Sequence, residues 1–221
     1  MCGIFASKCL TEYSRLFLAN QQRGTFASSL YFWSRDKRWM RKVPGKLSLT
    51  DSLDMLDAED AYELFLGHVQ APTSSCRNWS SDTSHPFIVN DWIVAHNGVL
   101  ENDEQLKKEH TLTYDNPVDS YIIPSLLDSM YVGDPVRCVS ETCSMLKGTF
   151  GCWMYNTRHR KFYITRSGST LYYNPDTSSV SSVKAPKVAE TIKEGIIYEM
   201  SIDEGIYQVG EFKTNSPFLI L

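Results

Sequence analysis

The chain opens Met1-Cys2-Gly3-Ile4-Phe5-Ala6. Residues 2 to 6 are short, apolar and rich in β-formers, a pattern that predicts a buried strand at the very start of the sequence. A small residue at position 2 lets aminopeptidase remove Met1, after which Cys2 carries both a thiol and a free α-amine. Such an amine has an ordinary pKa of about 7.7 to 8.0, so near neutral pH it can take the thiol proton, directly or through a water, and later return it to a leaving group. The dipeptide alone does not decide the matter, because a buried cysteine is also an ordinary small hydrophobe.

Outward from that strand, Tyr13, Leu16, Phe17 and Asn20 recur at near-helical spacing over 11 to 22, with Gly24 at the expected helix end. Strands are predicted at 26 to 33 and 38 to 43. An acidic helix is predicted over Leu49 to Leu64, followed by a strand from Leu64 to Val69 that ends at Gln70-Ala71-Pro72-Thr73. Residues 74 to 84 read as a polar loop. A strand from Phe87 to His96 is expected to break at Asn97-Gly98, a pair suited to a turn with positive φ. Helices are expected from about Asn102 to Glu109, from Asp119 with Pro124 in its early turns, and from the Asp134-Pro135 cap to Leu146, stopped by Gly148. From Thr149 onward strands and turns alternate at 149 to 156, 161 to 166, 170 to 174, 196 to 202 and 206 to 212, with the serine-rich 177 to 183 read as an exposed loop. This order predicts one α+β domain across 1 to 221, with helices packed outside stacked antiparallel sheets.

With 42% hydrophobic and 22% charged residues, the chain can bury its own core without disulfides or metals. The net charge of −4 comes from interspersed residues, so no extended basic surface is available for a phosphate backbone, and nucleic acid is not expected as a partner. One basic run, Arg35 to Lys46, mixes Lys37, Arg38, Arg41 and Lys42 with Trp39 and Met40; it reads as a hairpin with a solvated basic face or as a polyanion contact. The six cysteines, Cys2, Cys9, Cys76, Cys138, Cys143 and Cys152, form no CxxC pair and no zinc-like Cys/His spacing, so reduced thiols and no metal or cofactor are expected. Lys8 ends the first apolar run early, and nowhere do about 18 apolar residues follow one another, which predicts no signal peptide, no membrane span and a cytoplasmic location.

Met-Cys-Gly-Ile at 1 to 4 resembles the start of the class II, N-terminal-nucleophile glutamine amidotransferases, and four later motifs follow in that family's order. Arg23-Gly24 looks like its Arg-Gly turn. Gly67-His68-Val69-Gln70-Ala71-Pro72-Thr73 resembles its Gly-His-x-Arg-x-x-Thr loop, His96-Asn97-Gly98 with Glu101-Asn102 its His-Asn-Gly-x-x-x-Asn segment, and Asp119-Ser120 its Asp-Ser/Thr. Over roughly residues 2 to 175 the resemblance implies the four-layer αββα sandwich of N-terminal-nucleophile hydrolases. It also implies hydrolysis of the glutamine side-chain amide to glutamate and ammonia through a Cys2 thioester. The Asn97 amide and the Gly98 N–H are then the oxyanion donors, each typically worth about 2.7 to 4 kcal/mol in the transition state. Asp119 suits the substrate ammonium and Thr73 a substrate contact, while Arg23 orders the first strand beside the substrate. The plain alternatives are a hairpin turn at Asn97-Gly98, a helix N-cap at Asp119 and an ordinary loop residue at Thr73. His68 and His96 read as structural histidines, and Arg166 resembles a segment near the site.

Two departures bear on substrate. Gln70 stands where the family places the arginine that forks onto the substrate α-carboxylate, and a neutral amide cannot replace that contact unless Arg77 or Arg23 compensates. Thr25-Phe26-Ala27-Ser28 also differs from the acidic and small residues the family prefers. Three functions follow: a glutaminase whose ammonia goes to an acceptor synthetase on a separate chain, an amidase for a γ-glutamyl or other amide, or a weakened domain acting as a regulatory or binding subunit.

Overall fold

A computed structural model of the chain describes residues 2–48, 62–71, 79–201 and 203–215. Most of the helix expected over Leu49 to Leu64 and of the loop after Gln70, with Thr73, Cys76 and Arg77, lies outside the described residues, and the expected helix's last residues, 62 to 64, lead into a strand and are not helical. The described contacts separate into two compact units, one formed by Met1–His85 with Leu171–Glu190 and the other by Pro86–Thr170 with Thr191–Leu221.

In the first unit, β1 (Gly3–Ser7), β2 (Ala27–Trp33), β3 (Arg38–Pro44), β4 (Leu64–Gln70), β9 (Tyr172–Asn174) and β10 (Ser179–Ser181), with β11 (Glu190–Thr191) at the edge, make a seven-stranded sheet in the order β11-β9-β10-β1-β4-β2-β3. Strand β1 therefore lies inside the sheet, antiparallel to β10 on one side and β4 on the other. Helix α1 (Leu10–Asn20) turns Tyr13, Leu16, Phe17 and Asn20 inward, one face at i, i+3, i+4 and i+7. That face meets Phe5, Leu30, Phe32, Phe65 and Val69 of the sheet, with Phe5 and Tyr13 rings 5.4 Å apart and Phe32 and Phe65 rings 5.0 Å apart. After α1 the chain tightens into a 3-10 turn at Gln21–Arg23. Gly24 is not the left-handed cap its position suggests: its φ is −154°, and it is glycine for another reason, described with the site.

The serine-rich segment is a correction. Residues 177 to 183 are not an exposed loop, because β10 runs through them as a sheet neighbour of β1. Ser179, Ser181 and Ser182 are buried, and their hydroxyls are satisfied locally. Ser7 Oγ and Ser179 Oγ are 2.9 Å apart, Asn20 Nδ2 donates to Ser181 Oγ, and the Ile4 N–H donates to Ser182 Oγ. Buried hydroxyls are tolerated where such partners exist, which a polar composition does not disclose.

In the second unit, β5 (Phe87–Val89), β6 (Trp92–Leu100), β7 (Gly148–Asn156), β8 (Lys161–Ser167), β12 (Ile196–Ser201) and β13 (Gly205–Glu211) form a six-stranded sheet in the order β13-β12-β8-β7-β6-β5. Helices α2 (Asp103–Glu109), α3 (Ile122–Ser129) and α4 (Pro135–Met145) supply Leu106, Ile122, Ile123, Leu126, Leu127, Val139 and Cys143 to a core that includes Val94, Phe150, Cys152 and Met154 of the sheet. Asp134 caps α4 as expected, its Oδ1 accepting from the N–H groups of Val136 and Arg137, with Pro135 in the first turn. The expected strand break at Asn97-Gly98 is absent. The chain turns at Asn90, where φ is 47°, and β6 continues through Asn97-Gly98 to Leu100, paired with β7 throughout.

Among the described residues no helix is long and apolar enough to cross a membrane. The basic run forms β3 and its turn, largely exposed, but Lys42 departs from a solvated face. Its Nζ donates to the carbonyls of Ser81 and Ser84 at 3.0 and 2.8 Å, and burial pulls its pKa down to about 8 against the pull of Asp82.

Candidate active site

Cys2 stands at the head of β1 and is buried. Its carbonyl accepts a hydrogen bond of 2.7 Å from Arg23 Nε, while Arg23 Nη1 donates to the Ser182 carbonyl at 3.2 Å. The guanidinium thus ties the start of β1 to the residue that follows β10. Burial lowers the Arg23 pKa from its ordinary value, with Cys2 and Tyr172 opposing the shift. The β1–β4 register pairs Gly3 with Val69 and Ile4 with His68. Carried one residue further, it sets Cys2 opposite Gln70. Because side chains alternate along a strand and Phe5 and Val69 face α1, Cys2, Ile4, His68 and Gln70 share the opposite face.

Gly24 explains itself here. A Cβ at Gly24 would stand 2.3 Å from the Gln70 carbonyl carbon, so only glycine lets the Arg23-Gly24 turn seat on the end of β4. The Phe26 N–H then donates to the Gln70 carbonyl at 2.9 Å. Gln70 itself is 3% exposed, and its side-chain Oε1 is buried without a hydrogen-bond partner among the described residues. His68, two residues before it, is buried and stacked on His85, ring centroids 4.1 Å apart.

In the second unit, Asn97 and Gly98 lie within β6, both set by its pairing with β7. His96 points to the helical side, with Nδ1 2.7 Å from Ser120 Oγ and Nε2 3.3 Å from the Thr149 carbonyl. Alternation places the buried Asn97 side chain on the other face, with Ile93 and Ala95. At Gly98, where φ is +156°, an added Cβ would come 1.9 Å from the Thr149 carbonyl oxygen. The glycine therefore serves a close approach of two strands and not a turn. Asp119 opens a 3-10 turn (Asp119–Tyr121) without acting as its cap; its Oδ2 accepts from the Leu100 N–H at 2.9 Å and its Oδ1 from the N–H and hydroxyl of Ser120 at 2.8 and 3.1 Å. The carboxylate is thereby tied to the strand that carries Asn97 and Gly98. Burial holds the His96 pKa below its ordinary value, with Asp119 and the bond to Thr149 opposing, so its ring is kept neutral. Arg166 donates to the carbonyls of Ile192 and Ser169 and pairs with Glu194.

The remaining described cysteines divide clearly. Cys9 is exposed, whereas Cys138, Cys143 and Cys152 are buried in the second unit's core, where burial pushes the Cys138 thiol up to about 12 and that of Cys152 well above its ordinary value. Neutral thiols of this kind are poor nucleophiles. Among the described residues no group of three or more His, Cys, Asp or Glu side chains is placed to hold a metal ion. Sequence reading missed Ser182, which holds Ile4 through its hydroxyl and receives Arg23 on its carbonyl. A serine in a serine-rich tract carries no signal of that role.

A strand headed by Cys2 inside an antiparallel sheet, and a second antiparallel sheet with its own helices, define the fold of the N-terminal-nucleophile hydrolases in its glutaminase form. The chain resembles the class II glutamine amidotransferase domains. No protein-family model matches it. It is similar to the glutamine–fructose-6-phosphate aminotransferase of Helicobacter pylori, 27% identical over 223 residues that cover 92% of this chain and 36% of the relative. It is also similar to the 7-cyano-7-deazaguanine synthase of Saccharolobus solfataricus, 28% identical over 142 residues that cover 63% of this chain and 30% of the relative. The chain thus spans about a third of the length of these curated relatives. Among solved structures, the glutamine phosphoribosylpyrophosphate amidotransferase of B. subtilis matches 97% of this chain and 50% of its own with a TM-score of 0.77 at 19% identity, a likeness of fold. A glutamine aminotransferase class-II domain protein of Silicibacter pomeroyi covers 96% of this chain and 100% of its own at a TM-score of 0.62 and 13% identity.

Proposed function

We propose that this chain hydrolyses a carboxamide, with the glutamine side chain as the leading substrate, through Cys2 as an N-terminal nucleophile. The observation that carries this reading is the setting of Cys2: at the head of an internal strand, its carbonyl gripped by Arg23, its own residue on the same sheet face as Gln70. A purely structural cysteine needs no such anchoring of its main chain.

In the proposed reaction the α-amine exposed by loss of Met1 takes the thiol proton, and the Cys2 sulfur attacks the amide carbon. The resulting oxyanion is assigned to the Asn97 side-chain amide and the Gly98 N–H. Collapse breaks the C–N bond, the α-ammonium returns its proton to the departing ammonia, and a thioester remains. Water then attacks that thioester, releasing the acid and restoring the thiol. Asp119 is assigned the substrate ammonium, using acceptor capacity left after its bonds to Leu100 and Ser120, and Thr73 a further substrate contact. Cytoplasmic work is part of the proposal, since reduced thiols persist there. The names of the relatives, an aminotransferase and a synthase, support a further step in which the ammonia passes to an acceptor.

A specific observation favours a second reading of the substrate. Among the described residues Gln70 leaves the Cys2 face without the cationic fork, and Arg23 has Nε and Nη1 engaged by backbone carbonyls, so an amide lacking a free α-carboxylate is the alternative. The test is ammonia release from glutamine and a small panel of amides by the purified protein and by Cys2→Ala. Release that persists in the variant would sink Cys2 as nucleophile.

A further inference from the structure

The end of β4 carries a polar group that the fold leaves unsatisfied. Gln70 is 3% exposed, and its Oε1 is buried with no hydrogen-bond partner among the described residues. A buried acceptor in that condition is costly, and native proteins seldom keep one without a use. Its main chain offers no slack, because Gly24 packs on the Gln70 carbonyl and the Phe26 N–H bonds to it. The side chain is thus held on the face it shares with Cys2, one register step along paired strands. Directly opposed residues of antiparallel strands have Cβ atoms about 4.5 to 5.5 Å apart. A ligand whose reacting amide sits at the Cys2 sulfur therefore brings its far end to Gln70.

The two ends of that far group are chemically distinct. A carboxylate can accept from the Gln70 amide nitrogen but leaves Oε1 unmet, whereas an amide accepts from that nitrogen through its carbonyl and donates its N–H to Oε1. Resting on the proposed amidase reading, we infer that Gln70 selects a substrate in which the α-carboxylate of glutamine is replaced by an amide, as in a glutaminyl peptide or glutamine α-amide. The neutral pair replaces the ion pair that free glutamine requires, and the free amino acid becomes the poorer ligand.

Binding and turnover separate this inference from the reading beneath it. Calorimetry on the Cys2→Ala chain, which cannot turn over, should give glutamine α-amide and the dipeptide Gln-Gly about tenfold tighter binding than free glutamine, the factor expected when one buried acceptor is left unmet. Adding Gln70→Arg should reverse the order. Gln70→Glu, close in shape, should keep the amides and lose free glutamine further, so the inference does not depend on a buried arginine being accommodated. Free glutamine bound as tightly as either amide by the Cys2→Ala chain overturns the assignment of Gln70. Ammonia release by the wild-type chain is read separately: none from glutamine, its α-amide or the dipeptide overturns the amidase reading itself.

Discussion

Arg23 acts on the backbone of Cys2, with Nε and Nη1 committed to the carbonyls of Cys2 and Ser182. Arg23→Ala should therefore cost roughly 1.5 to 3 kcal/mol, the range for hydrogen bonds to a charged group, and Arg23→Lys should recover only part, since an ammonium cannot fork. Urea denaturation of the two variants measures both. The Cys2→Ala chain should fold with an unchanged urea midpoint yet lose ammonia release and labelling by a glutamine-like electrophile. Intact mass should place the mature start at Cys2; Met1 retained in an active preparation defeats the free-amine mechanism, and labelling that follows Cys76 or Cys152 moves the nucleophile elsewhere. The strand headed by Cys2 and the hold of Arg23 on it were legible because both follow from residue type and order. That of Ser182 was not, because its partners, Ile4 and Arg23, are far away in sequence.

At the scale of elements, β6 shows how pairing overrides local preference. Asn-Gly favours a turn, yet nine consecutive residues from Trp92 to Leu100 pair with β7, and the turn falls instead at Asn90. The ladder and buried side chains on both faces outweigh a two-residue propensity. Gly98→Ala should destabilise the fold by roughly 2 to 5 kcal/mol, combining backbone strain with a Cβ driven into the Thr149 carbonyl. Chemical denaturation checks it, and a loss under about 1 kcal/mol would mean that the strands part more readily than their register implies. The cap of α4 is a milder case: Asp134→Ala should cost about 1 kcal/mol, because two N–H groups lose their acceptor. That element was predictable from its first two residues, since capping is local.

For the molecule as a whole, burial sets how stability responds to pH. His96 has its folded pKa lowered from 6.5 by burial, so on acidification the unfolded chain takes up this proton first. Its contribution is present above about pH 6.5 and is lost as pH falls below it. Cys152 has its folded pKa raised from 9.0 by burial, so its contribution is lost as pH rises beyond 9.0, where the unfolded thiol ionises. Urea midpoints between about pH 5 and 8 should fall on acidification, and less steeply for His96→Gln than for wild type; equal slopes would exclude His96 as the source. The sequence by itself determined the strand at Cys2, the inward face of α1, the α4 cap and the order of the site motifs, since each depends on spacing or on near neighbours. Tertiary structure alone decided that the serine-rich tract is a buried strand, that Gly24 and Gly98 are glycine for close approach, and that Gln70 and Cys2 share one face. Those facts rest on register between strands distant in sequence, and register is chosen by the packing of the whole sheet.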